Sequence, residues 1–183
     1  MEHDIAEILI TPEQIRARVE ALGRDIRRRY TGREPLLVVA IMNGCVLFLA
    51  DLVRQLPIPI DLEFVYCKSY QGTRAGLLEF GHRATLPDAV RGRIVLLVDD
   101  IFDTGRTLAL AAAELRRLGA AEVATAVMVA KRGCAGPDTH RPDFVGFEIE
   151  NRFVVGYGLD YNGRYRNLPY IAVLKPETLH SEG

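Results

Sequence analysis

The chain has 183 residues, of which 49% are hydrophobic and 26% are charged, and its formal net charge is −1. These values are typical of a single globular domain with room for a core, and they exclude a disordered chain or a membrane-type composition. A net charge so close to zero also argues against a nucleic-acid-binding domain, which usually carries a strong basic excess.

The cysteines and histidines show none of the spacings that form disulfide frameworks or bind zinc. Cys45, Cys67 and Cys134 are far apart and odd in number, so we expect free thiols in a reducing compartment. The N-terminus MEHDIAEILI has acidic residues where a signal peptide needs basic ones, and no apolar run approaches the ~18 residues of a membrane span. We therefore expect a soluble, cytoplasmic protein.

The first helix signal begins at Thr11, where the order Thr-Pro-Glu-Gln supplies a cap, a proline at the first helical position and a capping-box glutamine. The residues that then recur at helical spacing and predict a buried stripe are Ile15, Val19, Leu22 and Ile26. The continuous, β-branched run LLVVAI at 36–41 is typical of a short strand buried on both faces. Met42-Asn43-Gly44 then predicts a turn, and VLFLADLV predicts a second helix.

The rest of the chain alternates between strand and helix signals. Residues 60–66 alternate in polarity as a strand does, whereas 71–92 show no clear period and predict a long loop, with a weak hairpin as the alternative. The elements predicted after this loop are a strand at 94–98, a helix with its apolar stripe at 108–115 that ends at Gly119, and strands at 123–129 and 144–149. This order indicates an α/β domain with a mostly parallel central sheet.

The stretch VLLVDDIFDTGRTL at 95–108 combines a buried strand, paired acids, a glycine turn and the start of a helix. Ligands of open α/β sheets bind beyond the carboxyl ends of the strands, where Asp99 and Asp100 are expected. The free N–H groups of the helix start bind phosphate, and Gly105 lets the backbone approach an anion. Carboxylate acceptors beside phosphate donors suit a phosphorylated sugar. The alternative is that Asp103 is a plain N-cap and the paired acids form a solvated strand end.

The same stretch resembles the phosphoribosyl-pyrophosphate signature of type I phosphoribosyltransferases. Three further pieces are similar to the hypoxanthine-guanine phosphoribosyltransferases: Lys131-Arg132 after a strand, PDFVGF at 142–147, and FVVGYGLDYNGRYRNLPYI at 153–171. The last piece is the most specific because it is long and unusual in composition. The resemblance extends from residue 36 to residue 174.

The resemblance implies both a fold and a reaction. The implied fold is one α/β domain over residues 1–183, with a central, mostly parallel twisted sheet flanked by helices, a small hood formed by the terminal segments, and a mobile lid loop over about 69–92. The implied reaction belongs to purine salvage. It transfers 5-phosphoribosyl from phosphoribosyl pyrophosphate to N9 of hypoxanthine or guanine and gives IMP or GMP and pyrophosphate. Mg²⁺ is the implied cofactor, since it prefers oxygen ligands and bridges phosphates.

By this resemblance the 5-phosphate is bound by a loop of five residues, which are Asp103, Thr104, Gly105, Arg106 and Thr107. Asp103 is also the implied catalytic base near N7 of the purine, because N9 becomes a better nucleophile as N7 loses its proton. Asp99 and Asp100 are implied to accept hydrogen bonds from the ribose hydroxyls, although many purine relatives have Glu-Asp there. With Asp160, they are also the implied metal ligands.

The implied purine contacts are Lys131, Phe153, Val154 and Asp160. Lys131 would donate a hydrogen bond to O6 of the purine. This favours hypoxanthine and guanine over adenine, because the 6-amino group of adenine is itself a donor and cannot accept from the lysine. Phe153 would stack on the base, with a core aromatic as the alternative, and Val154 would offer its backbone at the base edge.

The implied pyrophosphate contacts are Asn43, Gly44, Ser69, Tyr70 and Arg166. Relatives often have lysine or arginine in place of Asn43, and a peptide bond of this turn is commonly cis. Ser69 and Tyr70 would begin the mobile loop that closes over the site and excludes water.

Two alternatives stay open from the sequence. A regulator without catalysis would be expected to lose essential residues or to gain a DNA-binding domain, whereas this chain keeps Asp103, Lys131, Asp160 and Arg166. An enzyme for xanthine would use the same chemistry, and the sequence does not decide between the bases. The resemblance further implies a homodimer or homotetramer, small-molecule partners, and no nucleic-acid or membrane partner.

Overall fold

Two β-sheets organise the chain in the computed structural model, which describes residues 1–33, 35–69, 78–82, 84–136 and 139–180. The strands within these ranges are β1 (Ile5–Ile10), β2 (Leu36–Met42), β3 (Ile60–Ser69), β4 (Leu78–His82), β5 (Ile94–Phe102), β6 (Glu122–Lys131), β7 (Phe144–Ile149), β8 (Val154–Val155) and β9 (Ile171–Leu174). The helices are α1 (Pro12–Tyr30), α2 (Val46–Val53), α3 (Leu86–Val90), α4 (Arg106–Arg117) and α5 (Pro176–His180). One sheet has the order β4-β3-β2-β5-β6-β7, and the other has the order β1-β9-β8.

The larger sheet is mostly parallel, as the sequence predicts. β2 pairs in parallel with β3 and β5, β5 with β6, and β6 with β7, whereas β4 is an antiparallel edge strand. Residues 36–41 of β2 are all buried, because alternate side chains enter cores on opposite faces. Val38 belongs to the core beneath α1 and α2, and Val39 to the core beneath α3 and α4. The prediction of a strand buried on both faces is confirmed.

Helix α1 begins where the sequence predicts. The side-chain oxygen of Thr11 accepts from the N–H of Gln14 at 3.3 Å, and Oε1 of Gln14 accepts from the N–H of Thr11 at 2.8 Å, which completes the capping box. The predicted stripe of Ile15, Val19, Leu22 and Ile26 is buried. This stripe packs in the same core as the apolar face of α2, which places α2 over the sheet.

The predicted loop at 71–92 is wrong in part. β4 pairs antiparallel with β3, as in the hairpin alternative, and α3 follows it. Leu86 and Val90 bury one face of α3, but a helix of five residues is too short to show a period in the sequence. Residues 70–77 and 83 lie outside the described residues, and the lid expected at about 69–92 falls partly on them.

Strand β5 extends beyond its predicted end at residue 98. It reaches Phe102, so Asp99 and Asp100 lie within the strand rather than after it. In the ladder with β6, Asp99 is opposite Val127 and Phe102 is opposite Ala130. The pairing continues because β6 is itself long, and a polar side chain does not remove the backbone groups that form the ladder.

The smaller sheet joins the two ends of the chain. β1 pairs antiparallel with β9, and β9 with β8, which gives the hood of terminal segments that the resemblance implies. Hydrophobic patterns did not predict β8 and β9, since β8 has two residues and β9 has four. Across the described ranges, none of the helices has the length and apolar character needed to cross a membrane.

Candidate active site

A cleft of about 260 Å³ opens at the carboxyl ends of β2 and β5. Three segments line it, namely the turn after β2, the end of β5 with the turn that follows, and the segment after β8. The lining residues that the sequence analysis names are Gly44, Asp99, Asp100, Asp103, Thr104, Gly105, Thr107, Asp160 and Arg166. The fold therefore brings together most of the residues expected to bind sugar, phosphate and pyrophosphate.

Asp99 and Asp100 form a pair of carboxylates in this cleft, in which Asp99 is buried and Asp100 is half-buried. Asp99 is 6% exposed, and burial raises its pKa well above the usual range, with the charge of Asp100 adding to the rise. Burial also raises the pKa of Asp100, although the N–H of Ile101 at 2.7 Å and the charge of Arg166 oppose that rise. Because adjacent buried carboxylates repel each other, this position favours a ligand that brings positive charge or hydrogen-bond donors.

The donor chemistry of this pair fits Mg²⁺. In the part of the chain that the structure describes, no group of three acidic, histidine or cysteine side chains could hold a metal by itself. Asp160 is paired with Arg166 instead, at 2.6 Å. Mg²⁺ usually takes one or two protein carboxylates and completes its shell with water and substrate phosphates. The Asp99–Asp100 pair therefore suits a metal ion that arrives with a phosphorylated substrate.

Two glycines allow close packing around the turn after β2, with Gly44 against Asp100 and Gly158 against Gly44. A Cβ atom built on Gly44 would lie 2.6 Å from Cγ of Asp100, and one built on Gly158 would lie 3.2 Å from the carbonyl carbon of Gly44. A side chain at either position would therefore separate surfaces that are now in contact. The Met42–Asn43 peptide in this turn is cis, and Asn43 is exposed.

The start of α4 forms the loop expected to bind phosphate. Gly105 caps the helix with a φ of 80°, in the left-handed region that favours glycine. A Cβ atom there would also lie 2.6 Å from Cε2 of Phe102 and 2.8 Å from Cβ of Thr139. The first N–H groups of a helix have no intrahelical acceptor and can bind an anion. Thr104 and Thr107 line the cleft beside them.

A charged pair connects the ends of β5 and β6. Nζ of Lys131 lies 2.9 Å from Oδ2 of Asp103; the side chain of Lys131 is 10% exposed and that of Asp103 is 46% exposed. The two strands are neighbours in the sheet, which brings together residues that are 28 positions apart. The buried lysine thus holds the carboxylate at the mouth of the cleft, where one ligand can contact both.

Phe153 lies at the surface, so the alternative interpretation, a core aromatic, is wrong. It is 43% exposed, and its ring meets that of Tyr161 edge-on, with centroids 5.5 Å apart and planes at 83°. Val154 is buried and pairs with Val173 in the smaller sheet. An exposed aromatic ring that a neighbour orients can stack on a planar base.

Arg166 is oriented by two acceptors. Its Nη2 lies 2.6 Å from Oδ1 of Asp160, and its Nη1 donates to the carbonyl of Gly158 at 2.6 Å. Asp160 is fixed in turn by the N–H of Gly163, which lies 2.8 Å from its Oδ2. These contacts use only part of the five donors of a guanidinium, so Arg166 can also donate to an anion in the cleft.

The other expected site residues lie near the ends of these elements. Arg106 is exposed on the first turn of α4, where its N–H donates to Oγ1 of Thr104 at 3.5 Å, and Ser69 ends β3. Tyr70 lies outside the described residues. Sequence patterns did not identify Thr139, which packs against Gly105, because its segment has no regular period. They also did not identify the close approach of Gly158 to Gly44, although a glycine among large residues can signal such an approach.

Comparison with known proteins identifies the family to which the chain belongs. A family model described as the phosphoribosyl transferase domain matches residues 6–162. The hypoxanthine-guanine phosphoribosyltransferase of Bacillus subtilis is 36% identical over 181 residues, which is 99% of each protein. The bifunctional protein TilS/HprT of Listeria monocytogenes is 38% identical over all 183 residues, and this chain spans 28% of the length of that protein.

A solved structure has the same architecture along nearly the whole chain. It is a variant of the hypoxanthine phosphoribosyltransferase from Trypanosoma cruzi in a ternary complex with substrates. The TM-score is 0.87 at 33% sequence identity, and the match covers 97% of this chain and 99% of that one. The chain belongs to the phosphoribosyl transferase domain family and, within it, to the hypoxanthine-guanine phosphoribosyltransferases.

Proposed function

We propose that the protein transfers the 5-phosphoribosyl group of phosphoribosyl pyrophosphate to N9 of hypoxanthine or guanine, giving IMP or GMP and pyrophosphate. The observation that carries this proposal is the 2.9 Å pair of Lys131 and Asp103 beside the helix start at Gly105. It offers a donor for a 6-oxo group and a proton acceptor next to a loop suited to a sugar phosphate. Membership of the family supports the same reaction.

The ribose phosphate would be bound by the loop at 103–107 and by the Asp99–Asp100 pair. Backbone N–H groups and threonine hydroxyls would donate to the phosphate, and the carboxylates would accept from the ribose hydroxyls. Positive charge grows on the ribose as the C1–O bond to pyrophosphate breaks. Buried carboxylates stabilise such charge more strongly than exposed ones, because water screens them less.

The purine would lie between Lys131, Asp103 and Phe153. Nζ of Lys131 donates to O6, the ring of Phe153 stacks on the base, and the backbone of Val154 contacts its edge. As N9 bonds to C1 of the ribose, the proton on N7 passes to the carboxylate of Asp103, which leaves more electron density on the attacking nitrogen. Pyrophosphate departs with the electron pair of the broken C1–O bond.

The pyrophosphate would be bound at the other end of the cleft. Arg166 would donate to it, together with the backbone at Asn43 and Gly44, while contacts from Ser69 and Tyr70 stay predictions. Because Arg166 is already oriented by Asp160 and Gly158, little side-chain freedom is lost when the anion binds.

Carboxylates of the same cleft would hold Mg²⁺. Asp99 and Asp100 are the proposed ligands, whereas Asp160, which is paired with Arg166, stays a prediction as a third ligand. When bound, the ion supplies positive charge that neutralises the leaving pyrophosphate. Mg²⁺ would bind at this pair because a cation relieves the repulsion between the two carboxylates.

The decisive experiment is a spectrophotometric assay with phosphoribosyl pyrophosphate, Mg²⁺ and each of hypoxanthine, guanine, xanthine and adenine. We expect nucleotide from hypoxanthine, from guanine or from both. No product with any base would contradict the proposed reaction. Turnover of adenine alone would contradict the role of Lys131, and turnover of xanthine alone would favour the alternative base.

We further propose that residues 1–183 act as one domain that assembles as a homodimer or homotetramer. Four large apolar side chains of α2 and β3 are exposed, namely Val46, Leu47, Leu62 and Tyr66. A second copy would cover them, since apolar groups of this size favour burial. Light scattering during gel filtration measures the mass, and a monomer at every concentration would contradict this proposal.

A further inference from the structure

Tyr157 connects the pyrophosphate end of the cleft to helix α2. Its hydroxyl donates to Oδ2 of Asp51 at 2.6 Å. Tyr157 is 7% exposed, and burial, followed by the bond to Asp51, raises the pKa of its phenol, so the hydroxyl keeps its proton and remains the donor. The bond spans 106 positions of the chain and joins α2, which follows the turn at Gly44, to the segment after β8.

The backbone beside Tyr157 contacts two residues that line the cleft, Gly44 and Arg166. The N–H of Tyr157 donates to the carbonyl of Leu168 at 2.8 Å, and the N–H of Gly158 donates to the carbonyl of Arg166 at 2.9 Å. Gly158 lies against Gly44, and its carbonyl accepts from the guanidinium of Arg166. Tyr157 has a φ of 49°, in the left-handed region that residues other than glycine rarely adopt, so its surroundings must fix this conformation.

The partner of this hydrogen bond is equally well anchored. Asp51 lies on α2, whose Phe48, Leu49 and Leu52 are buried in the core, so the helix cannot shift without the sheet. The same helix begins directly after the turn that contains Gly44. The turn at Gly44 and the segment of Tyr157 are therefore connected twice. One connection is through α2 and the Tyr157–Asp51 hydrogen bond, and the other is the packing of Gly158 against Gly44.

We infer that Tyr157 is a positioning residue for the pyrophosphate half of the site, an inference that rests on the proposed function. Its hydrogen bond to Asp51 holds Gly158 against Gly44 and thereby sets the guanidinium of Arg166 opposite the turn. The purine half does not depend on this bond. Val154 is held by its pairing with β9, and the Lys131–Asp103 pair lies on β6 and the turn after β5.

The substitution Tyr157→Phe removes the hydroxyl and keeps the ring. We expect the KM for phosphoribosyl pyrophosphate to rise about tenfold, the effect of losing one hydrogen bond to a charged group. The KM for hypoxanthine should change by less than about twofold, because Lys131, Asp103 and Val154 are held by other contacts. Titration of the protein with pyrophosphate and Mg²⁺ should show the same rise, of about tenfold, in Kd.

Variants of the partner test whether the hydrogen bond itself is responsible. Asp51→Asn keeps an oxygen acceptor and should behave like the wild type, whereas Asp51→Leu should match Tyr157→Phe. The double variant Tyr157→Phe/Asp51→Leu should be no worse than either single one, because both remove the same bond. Arg54→Ala is the matched control, since Arg54 is an exposed ion-pair partner of Asp51 outside the cleft, and both KM values should stay unchanged.

Thermal unfolding of each variant identifies any folding defect, which would lower the apparent kcat through the loss of folded enzyme and leave both KM values unchanged. An unchanged KM and Kd in Tyr157→Phe, or equal rises in the KM of both substrates, would overturn the inference. A wild type that binds pyrophosphate and turns over no base would instead contradict the proposed function. In that case the Kd values of the variants still decide whether Tyr157 positions the anion site.

Discussion

The ammonium of Lys131 and the carboxylate of Asp103 are in direct contact at 2.9 Å, so the two groups expected to handle the purine form one unit. The lysine is the more buried partner, and the aspartate is the one that faces the cleft. In the proposed reaction each group contacts a different atom of the purine: Lys131 donates to O6, and Asp103 accepts the proton from N7. Substitution of either residue should therefore affect a different step, and the two effects can be measured separately.

Asp103→Asn should lower kcat much more than it weakens binding of phosphoribosyl pyrophosphate. An amide cannot take the proton from N7, and the loss of a general base typically costs about 10²–10⁴-fold in rate. The phosphate loop keeps its backbone donors, so the Kd for phosphoribosyl pyrophosphate should change by less than about threefold. Steady-state kinetics and calorimetric titration measure the two quantities.

The matched control for Asp103 is Asp61→Asn. Asp61 is also an exposed aspartate paired with a cation, Arg93 at 2.7 Å, but it lies at the opposite end of the sheet. This variant should keep the wild-type kcat. Equal losses of kcat and of binding in Asp103→Asn would instead show that Asp103 only caps the phosphate loop.

Lys131→Ala should weaken the use of 6-oxopurines. The loss of a charged donor to O6 should reduce kcat/KM for hypoxanthine by about 10–100-fold, while the KM for phosphoribosyl pyrophosphate stays close to that of the wild type. Discrimination against adenine should also fall, because the donor that opposes its amino group is gone. Arg132→Ala is the control, since Arg132 is an exposed neighbour paired with Glu150 at 3.0 Å. Unchanged selectivity in Lys131→Ala would contradict the contact with O6.

The parts of the site that sequence patterns could predict are continuous in the chain. Asp99, Asp100 and the loop at 103–107 lie within one strand-turn-helix unit, so local polarity and a glycine indicate both their place and their chemistry. Even there, the end of β5 was misplaced, because its length depends on the length of β6. The local sequence pattern of one strand does not show the length of its neighbour in the sheet.

The parts that patterns could not predict join distant residues. Lys131 and Asp103 are 28 positions apart, and Tyr157 and Asp51 are 106 apart, so only the folded sheet brings each pair together. The resemblance to a known family indicated the role of Lys131, whereas no signal pointed to the Tyr157–Asp51 bond. Hydrophobic patterns do not show the smaller sheet for a related reason, since β1 and β9 come from opposite ends of the chain, and only the resemblance implies a hood there.

Gly105→Ala should destabilise the protein as well as the phosphate loop. A Cβ atom in the left-handed conformation costs about 1–2 kcal/mol, and the overlaps with Phe102 and Thr139 should add about 1–3 kcal/mol. Urea unfolding should therefore show a loss of about 2–5 kcal/mol in the free energy of unfolding. Activity should fall with it, because relief of the overlaps would shift the backbone donors.

The matched control for Gly105 is Gly92→Ala. Gly92 has a similar φ of 72°, but a Cβ atom there would meet nothing within 4 Å. This variant should lose only the conformational part, about 1–2 kcal/mol, and should keep its activity. Equal losses of stability in the two variants would show that packing around Gly105 contributes nothing.

An ion-pair network joins α1 to the strands beneath it. Arg29 lies 2.9 Å from Asp143 and 3.2 Å from Glu122. Burial alone would raise the pKa of Asp143, but hydrogen bonds from Arg29 and Thr125 outweigh it and hold the pKa below the usual range. The hydrogen bond from Arg33 lowers the pKa of Glu122 in the same way. Lowered pKa values give stability that is present above the ordinary value of about 4 and is lost as pH falls through the folded-state values.

Asp143→Asn should remove part of this acid-sensitive stability. At pH 7 its free energy of unfolding should be about 1–2 kcal/mol below that of the wild type, and the difference should shrink from about pH 4 downward, as the wild-type carboxylate is protonated. Urea unfolding at a series of pH values measures this. Asp25→Asn is the control, because Asp25 forms an exposed pair with Arg28 at 3.1 Å. That variant should differ from the wild type by less than about 0.5 kcal/mol throughout. A loss in Asp143→Asn that stays constant with pH would show that packing, rather than charge, makes Asp143 stabilising.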